Sequence, residues 1–139
     1  MSKFAMFFII IVAFFIGIPS AIFGQEMTKK EENKEGVFRT VHLVNLNSVE
    51  NEAEFVAILN DFNKVVAEVG YPNIRYNFWK ERGDREGKYK YIFESTWPNQ
   101  ATYDKVHENE KYQAVFEKYK ARWEELVSED VYSRYVPLN

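Results

Sequence analysis

One histidine of the chain stands among charged side chains at helical spacing. His107 has Asp104 three residues before it and Lys111 four residues after it, so in a helix the three share one side. A carboxylate beside an imidazole favours the charged ring and can orient it as a general acid or base. His107 is therefore the candidate catalytic residue. The alternative is a histidine in water on a charged helix surface.

The second histidine, His42, lies in an apolar segment between Thr40 and Val44. Its ring is predicted either to enter a ligand pocket or to be a buried, hydrogen-bonded structural group, since buried polar groups normally have partners. The amides of Asn45 and Asn77 could bind a ligand carbonyl, or they could complete hydrogen bonding at a strand edge. The two functions therefore stay open at these positions.

Aromatic residues at strand spacing form the third candidate feature. Trp79, Tyr91 and Trp97 could build a wall against a flat ligand, because small-molecule pockets are mostly apolar with few polar groups. The alternative is ordinary core packing, which is the commoner use of large aromatic side chains.

Composition excludes several classes of function. The 139 residues suffice for one ordinary domain. The net charge of −3, without a basic stripe, argues against a nucleic-acid partner. There is no cysteine, and the two histidines are far apart in the sequence, so neither a disulfide framework nor a metal site at zinc spacing is predicted.

These side chains must be positioned by strands and helices that alternate along the chain. Hydrophobic periodicity predicts strands over 37–47, 74–82, 88–97 and 131–136, and helices over 50–69 and 102–127, the second with a break or bend at Asn109. The order β-α-β-β-α-β predicts the α+β, ferredoxin-like arrangement, a four-stranded antiparallel sheet with two helices on one face. The other face keeps aromatic side chains, so we expect a homodimer in which two sheets meet.

The stretch after the third strand carries a resemblance to known proteins. Trp97 ends that strand, a turn begins at Pro98, and Tyr103 and His107 follow on the next helix. This order resembles antibiotic-biosynthesis-monooxygenase-like and stress-responsive members of the dimeric α+β barrel superfamily. In element order the resemblance covers about residues 37–139, and at the level of residues it is confined to 97–112.

The resemblance implies a pocket between the sheet and the helices, with chemistry that needs no cofactor. Relatives of this kind oxygenate aromatic substrates, degrade haem or cyclise polyketides. The haem-degrading pattern is poorly matched, because Phe116 stands where an iron ligand would be needed. For an enzyme, the resemblance implies that His107 moves a proton. Trp79, Trp97 and Tyr103 would hold an aromatic or apolar substrate, and Asn77 or His42 would stabilise developing negative charge.

The first residues have the pattern of a secretory signal peptide. Lys3 precedes an apolar run that ends with Pro19, Ser20 and Gly24. We therefore expect a signal peptide over 1–24, a disordered charged linker over 25–36 and the folded domain over 37–139, secreted or periplasmic and without membrane contact once the leader is removed. The alternative is an uncleaved anchor over 4–23, which is just long enough to span a bilayer.

Two functions from different classes follow. The first is an exported protein that binds a small molecule and acts on it as a cofactor-independent monooxygenase, isomerase or cyclase. The alternative is a non-catalytic interaction or structural module of the cell envelope. The second predicts an interior filled by the protein's own side chains, with His107 in water.

Overall fold

A computed structural model of the chain describes residues 36–83 and 87–138. The predicted signal peptide, and all but the last residue of the predicted linker, lie outside the described residues. Among the residues that are described, no helix combines the length and the apolar character needed to cross a membrane.

The secondary structure follows the predicted order, with the second helical region divided in two. The sheet has four strands, and the pairs β2–β3, β3–β1 and β1–β4 are all antiparallel. The ferredoxin-like prediction is therefore confirmed. The elements are β1 (Phe38–Leu46), α1 (Glu52–Glu68), β2 (Asn77–Lys80), β3 (Tyr91–Trp97), α2 (Gln100–His107), α3 (Glu110–Leu126) and β4 (Val127–Tyr135).

Local hydrogen bonds explain where the helices begin and end. Asn109 leaves the helical conformation, and its side chain accepts a hydrogen bond from the Lys111 amide at 3.0 Å, so it ends α2 and caps α3. Asn99 caps α2 in the same way through the Thr102 amide at 2.8 Å. Gly70 follows α1 with φ of 105°, a left-handed conformation that glycine adopts without strain.

The first strand has different residues on its two faces, as its alternation predicts. Phe38, Thr40, His42 and Val44 are all buried under the helices. The core between the sheet and the helices also holds Trp97, which is fully buried. This face of the sheet therefore supplies the floor of any internal site.

The outer face of the sheet is covered by no element of the described chain. Trp79 is 60 % exposed, and Ile92 and Val131 are also exposed on this face. The β-strand pairing brings Arg39 and Glu94 together there in an ion pair of 3.3 Å. An apolar sheet face of this kind is typical of a surface that binds a partner.

Three of the predicted strands had wrong boundaries. The hairpin strands are shorter than 74–82 and 88–97, because Ile74 and Tyr76 are buried by packing outside the ladder and pairing stops at Lys80. The last strand begins at Val127, directly after α3, and not at residue 131. The β1–β4 pairing extends over this longer length with a bulge near Leu46.

Candidate functional site

A cavity of about 50 Å³ lies between the sheet and the helices. Its wall combines aromatic rings with two imidazoles, several phenols and one aliphatic hydroxyl. The lining residues are Thr40, His42, Leu59, Phe62, Tyr76, Phe93, Tyr103, His107, Tyr112, Phe116, Trp123 and Tyr132. An apolar wall with a few polar groups is the composition expected of a small-molecule site.

On the sheet side of the cavity, His42 is paired with a carboxylate. Its Nδ1 lies 2.9 Å from Oδ1 of Asp130 on β4, and its ring lies flat against Phe93 with centroids 4.0 Å apart. The contact is diagonal across the sheet, because Asp130 is the register partner of Val44, two residues further along β1. The Nδ1–H therefore donates to the carboxylate, which leaves Nε2 as the basic nitrogen of the ring.

On the helix side, His107 is held as a neutral acceptor. Its Nδ1 donates to the Tyr103 carbonyl at 2.7 Å, and its Nε2 lies 3.3 Å from the Tyr76 hydroxyl. Burial lowers the pKa of His107 to about 4, although the bond to the Tyr103 carbonyl acts in the opposite direction. The ring is therefore uncharged at neutral pH.

This charge state corrects the expectation drawn from Asp104. That carboxylate does raise the pKa of His107, but the cost of burying the charged ring is larger. The surface alternative is also incompatible with the geometry, because the ring stacks on Tyr103 with centroids 3.8 Å apart and lines the cavity.

Two phenols continue the hydrogen-bond chain from His107. Because His107 Nε2 accepts, the Tyr76 hydroxyl donates to it and accepts from Tyr112, whose oxygen is 2.7 Å away. Burial raises the pKa of Tyr76 and of Tyr112, so both remain protonated. The helix side thus offers neutral hydroxyl groups close to the cavity.

A buried amide positions Tyr76. Asn63 of α1 donates to the Tyr76 carbonyl at 2.9 Å and accepts from the Tyr76 amide at 2.6 Å. Its side chain thus makes the two backbone hydrogen bonds that a neighbouring strand would make, just before β2. Asn63 was not among the predicted site residues. Its signal was nevertheless visible in the sequence, because it is a polar residue between Phe62 and Val65 on the apolar side of the predicted helix.

The structure brings some of the predicted site residues together and separates others. His42, Tyr103 and His107 line the cavity. Trp97 lies behind them, with its ring centroid 5.0 Å from that of Tyr103, and its Nε1 donates to the Ser95 hydroxyl at 2.7 Å.

The other predicted residues lie elsewhere. The Tyr91 hydroxyl donates to Glu52 at 3.0 Å and is not part of the cavity wall. Asn77 and Trp79 point to the outer face, because in the β2–β3 register they pair with Glu94 and Ile92. A strand exposes alternate residues on opposite faces, so neither side chain reaches the cavity.

Besides Asn63 and Tyr76, three ionisable residues of the site were absent from the predicted site residues. They are Asp130, Tyr112 and Tyr132, of which the first pairs with His42 and the other two line the cavity. Tyr112 carried a signal, because it belongs to the apolar face of the predicted second helix. Asp130 carried none, since the last strand was predicted to begin at residue 131. Tyr132 lay inside that predicted strand but was not assigned to the site.

Asn45 has the structural role that was one of its two alternatives. Its side chain donates to the Lys88 carbonyl at 2.7 Å and accepts from the Lys90 amide at 2.9 Å. It therefore supplies hydrogen bonds to the chain just before β3. Across residues 36–83 and 87–138, no group of three or more His, Cys, Asp or Glu side chains is arranged to hold a metal ion.

Comparison with known proteins places the chain by its fold. No family model matches the sequence, and no curated protein matches it. Solved structures do match. A dabb family protein with a ferredoxin-like fold from Mesorhizobium loti is 20 % identical, with a TM-score of 0.55 over 75 % of this chain and 99 % of that one. The fold is ferredoxin-like.

Two further structures share this ferredoxin-like fold. A dimeric ferredoxin-like protein of unknown function from Thermobifida fusca is 12 % identical, with a TM-score of 0.53 over 74 % of this chain and 93 % of that one. A hydroxynitrile lyase from Passiflora edulis is 13 % identical, with a TM-score of 0.55 over 75 % of this chain and 95 % of that one. The predicted resemblance to dimeric α+β barrel proteins is therefore confirmed for the fold.

Proposed function

We propose that the domain binds a small molecule in the internal cavity and transfers a proton to or from it without a cofactor. The observation that carries this proposal is the His42–Asp130 pair, in which a buried imidazole on the cavity wall is hydrogen-bonded to a carboxylate at 2.9 Å. Such a pair orients the ring and stabilises the imidazolium that forms when Nε2 takes a proton.

The helix side supports the complementary part of the reaction. When His42 removes a proton from a C–H or O–H group, negative charge develops on the substrate. Hydroxyl donors in a site that excludes water stabilise such charge. The Tyr76 and Tyr112 hydroxyls are protonated and serve as such donors when they turn from His107 and from each other toward the substrate. The proton then returns to another atom of the substrate or to the leaving group. Isomerisation, ring closure and lyase reactions all follow this course.

This assignment changes the role expected of His107. A catalytic role for His107 stays a prediction. Its neutral ring accepts a hydrogen bond from the Tyr76 hydroxyl, which favours a role in positioning that phenol. The lyase with the same fold supports the reaction class only in general terms, because its sequence is 13 % identical. Cofactor-independent oxygenation stays a prediction.

A second candidate function is favoured by the size of the cavity. Pockets that enclose drug-sized ligands measure roughly 300–1,000 Å³, whereas this cavity measures about 50 Å³. Without side-chain movement it therefore holds only a very small ligand. An interior so nearly filled by side chains favours a non-catalytic interaction or structural module.

We also propose that the protein is a homodimer formed by its outer sheet faces. Trp79, Ile92 and Val131 are exposed on this face, and burying them against a second copy by two-fold symmetry would remove apolar surface from water. The Thermobifida fusca protein with the same fold is described as dimeric, which supports this arrangement.

Export remains a proposal based on the sequence of residues 1–24. Mass analysis of the N-terminus of protein purified from its source tests it. A mature chain that starts near Gln25 supports export with cleavage, and retention of residues 4–23 supports the membrane anchor.

Hydrogen–deuterium exchange at carbon tests proton transfer without knowledge of the substrate. Small ketones, aldehydes and short carboxylic acids are incubated with the protein in D₂O, and loss of the α-proton signal is followed by NMR. We expect exchange above background with at least one compound, lost in His42→Gln and reduced in Asp130→Asn.

Lys105→Gln is the control, because Lys105 is exposed on α2 and does not line the cavity. Exchange that is equal in the His42 variant and the control would remove the proposed mechanism. A complete absence of both exchange and ligand binding would favour the non-catalytic module.

A further inference from the structure

Arg134 is a cation placed at the edge of the cavity. It lies on β4 opposite Thr40, on the face of the sheet that carries His42. Its guanidinium carbon is 4.5 Å from the ring centroid of Tyr103 and 5.7 Å from that of Tyr132. Because both rings line the cavity, the guanidinium lies against its wall.

The contacts of Arg134 with other side chains involve neutral groups. Its Nε donates to the Tyr132 hydroxyl at 2.5 Å, and its Nη1 donates to the Gln100 carbonyl oxygen at 2.7 Å. Asp104 is linked to Arg134 only through Gln100, because it accepts a hydrogen bond from the Gln100 side-chain amide at 2.6 Å. Within the described part of the chain, no ion pair includes Arg134.

Two basic residues on the helices are placed differently. Lys118 and Arg122 hold carboxylate partners on the outside of the helices, where water also screens their charge. Arg134 is also exposed, but it packs over aromatic rings and holds no carboxylate partner among the described residues. A guanidinium that is held against aromatic rings and has no direct counter-ion keeps its charge available to an anion.

The field of Arg134 reaches the site itself. Burial is the main cause of the lowered pKa of His107, and the positive charge of Arg134 lowers it further. An anion bound by Arg134 would therefore lie close enough to influence the imidazole on the helix side of the cavity.

We propose that Arg134 binds a carboxylate, so that the ligand of the cavity is a small carboxylic acid whose uncharged part enters between His42 and His107. This inference rests on the proposed function of the cavity. The planar guanidinium has five N–H donors and matches a carboxylate with two parallel hydrogen bonds. The contacts with Tyr132 and Gln100 use part of this set and fix the plane of the group.

Matched pairs of ligands test the charge requirement. Straight-chain acids from acetate to hexanoate, and the primary amide of each, are titrated into the full chain at neutral pH. Binding is measured from the NMR signals of the His42 and His107 rings. We expect at least one acid to bind about tenfold or more tightly than its amide.

Variants of Arg134 separate this inference from the proposed function. In Arg134→Gln we expect the acid to lose about tenfold or more in affinity and the amide to be unchanged. Arg134→Lys keeps the positive charge but not the two parallel N–H donors, so its affinity for the acid should be intermediate. Arg39→Gln is the matched control, because Arg39 pairs with Glu94 on the opposite face, and we expect it to bind like the unmodified protein.

Each result decides the inference. Equal binding of acid and amide, or an equal loss in the Arg39 and Arg134 variants, overturns the role of Arg134 and leaves the cavity as a binding site. If neither ligand class moves the two histidine signals, the small-molecule function fails, and the carboxylate site fails with it. If Arg134→Gln does not fold, the acid-to-amide ratio and the Arg134→Lys value decide the outcome.

Discussion

His42 and Asp130 form a buried contact in which one carboxylate oxygen of Asp130 is hydrogen-bonded to the imidazole and the other is not. Oδ1 of Asp130 lies 2.9 Å from His42 Nδ1, whereas Oδ2 is buried and has no hydrogen-bond partner among the residues that the structure describes. A buried polar atom without a partner is costly to stability. Such a cost is typical of a group retained for chemistry, and it suits a carboxylate that stabilises a transient imidazolium.

Asp130→Asn tests this pair directly. The carboxamide has nearly the same shape but no negative charge, so the preference of His42 for the Nδ1–H form should weaken. We expect ¹⁵N NMR to show a loss of the single tautomer, and we expect proton exchange at carbon to fall by about tenfold to hundredfold. A variant that keeps both the tautomer and the exchange rate would show that Asp130 has only a structural role.

The lowered pKa of His107 predicts how stability depends on pH. The pKa is about 4 in the folded chain, against an ordinary value of 6.5, so between these values the unfolded chain binds more protons. Stability should therefore be complete above pH 6.5, decline as the pH falls below 6.5 and level off below about 4. The shift corresponds to a loss on the order of 3 kcal/mol.

Urea denaturation at about pH 7 and about pH 4.5 measures this effect. His107→Gln removes the titrating ring and serves as the reference, since carboxylates also titrate in this range. We expect the unmodified protein to lose roughly 2–3 kcal/mol more than the variant between the two pH values. Equal losses would mean that His107 remains accessible to protons in the folded chain.

The Tyr76 hydroxyl connects the partly buried His107 ring with the buried Tyr112 hydroxyl, and its removal should destabilise the fold. Tyr76→Phe leaves His107 Nε2 and the Tyr112 hydroxyl without this partner. We expect a loss of about 1–3 kcal/mol in the free energy of unfolding, measured by urea denaturation.

Tyr71→Phe is the matched control, because Tyr71 is only partly buried and the described residues give its hydroxyl no hydrogen-bond partner. The control should change stability by less than about 0.5 kcal/mol. Equal effects of the two substitutions would contradict the relay from Tyr112 to His107.

The proposed dimer predicts which surface controls assembly. Ile92→Lys places a charge in the middle of the outer sheet face, where Ile92 is 37 % exposed, and should shift the protein to monomer in analytical ultracentrifugation. Ala67→Lys is the control on the exposed side of α1 and should remain dimeric. A protein that is monomeric without any substitution would overturn the proposal.

The fold was predictable because local patterns and topology agree. Alternation in the first strand separates Phe38, Thr40 and His42 from Arg39 and Val41 in the sequence alone, since side chains of a strand point to opposite faces in turn. The break at Asn109 was also visible, because an asparagine that caps a helix interrupts the helix before it.

The site was only partly predictable. His42 and Tyr103 were identified, but Asn77 and Trp79 were placed in the pocket because residue type was used without the strand register. Asp130 was missed, because it lies 88 positions from His42 in the chain and meets it only when β1 and β4 pair. The charge of His107 was misjudged, because Asp104 is visible in the sequence and burial is not.

The sequence by itself determined the order of the elements, the two faces of the sheet and the presence of two imidazoles in an otherwise aromatic domain. These features depend on residues close together in the chain. Only the tertiary structure decided that His42 meets Asp130, that His107 is neutral and that Arg134 lies beside Tyr103. Hydrogen bonding between distant residues and exclusion of water arise only when the strands and helices pack together.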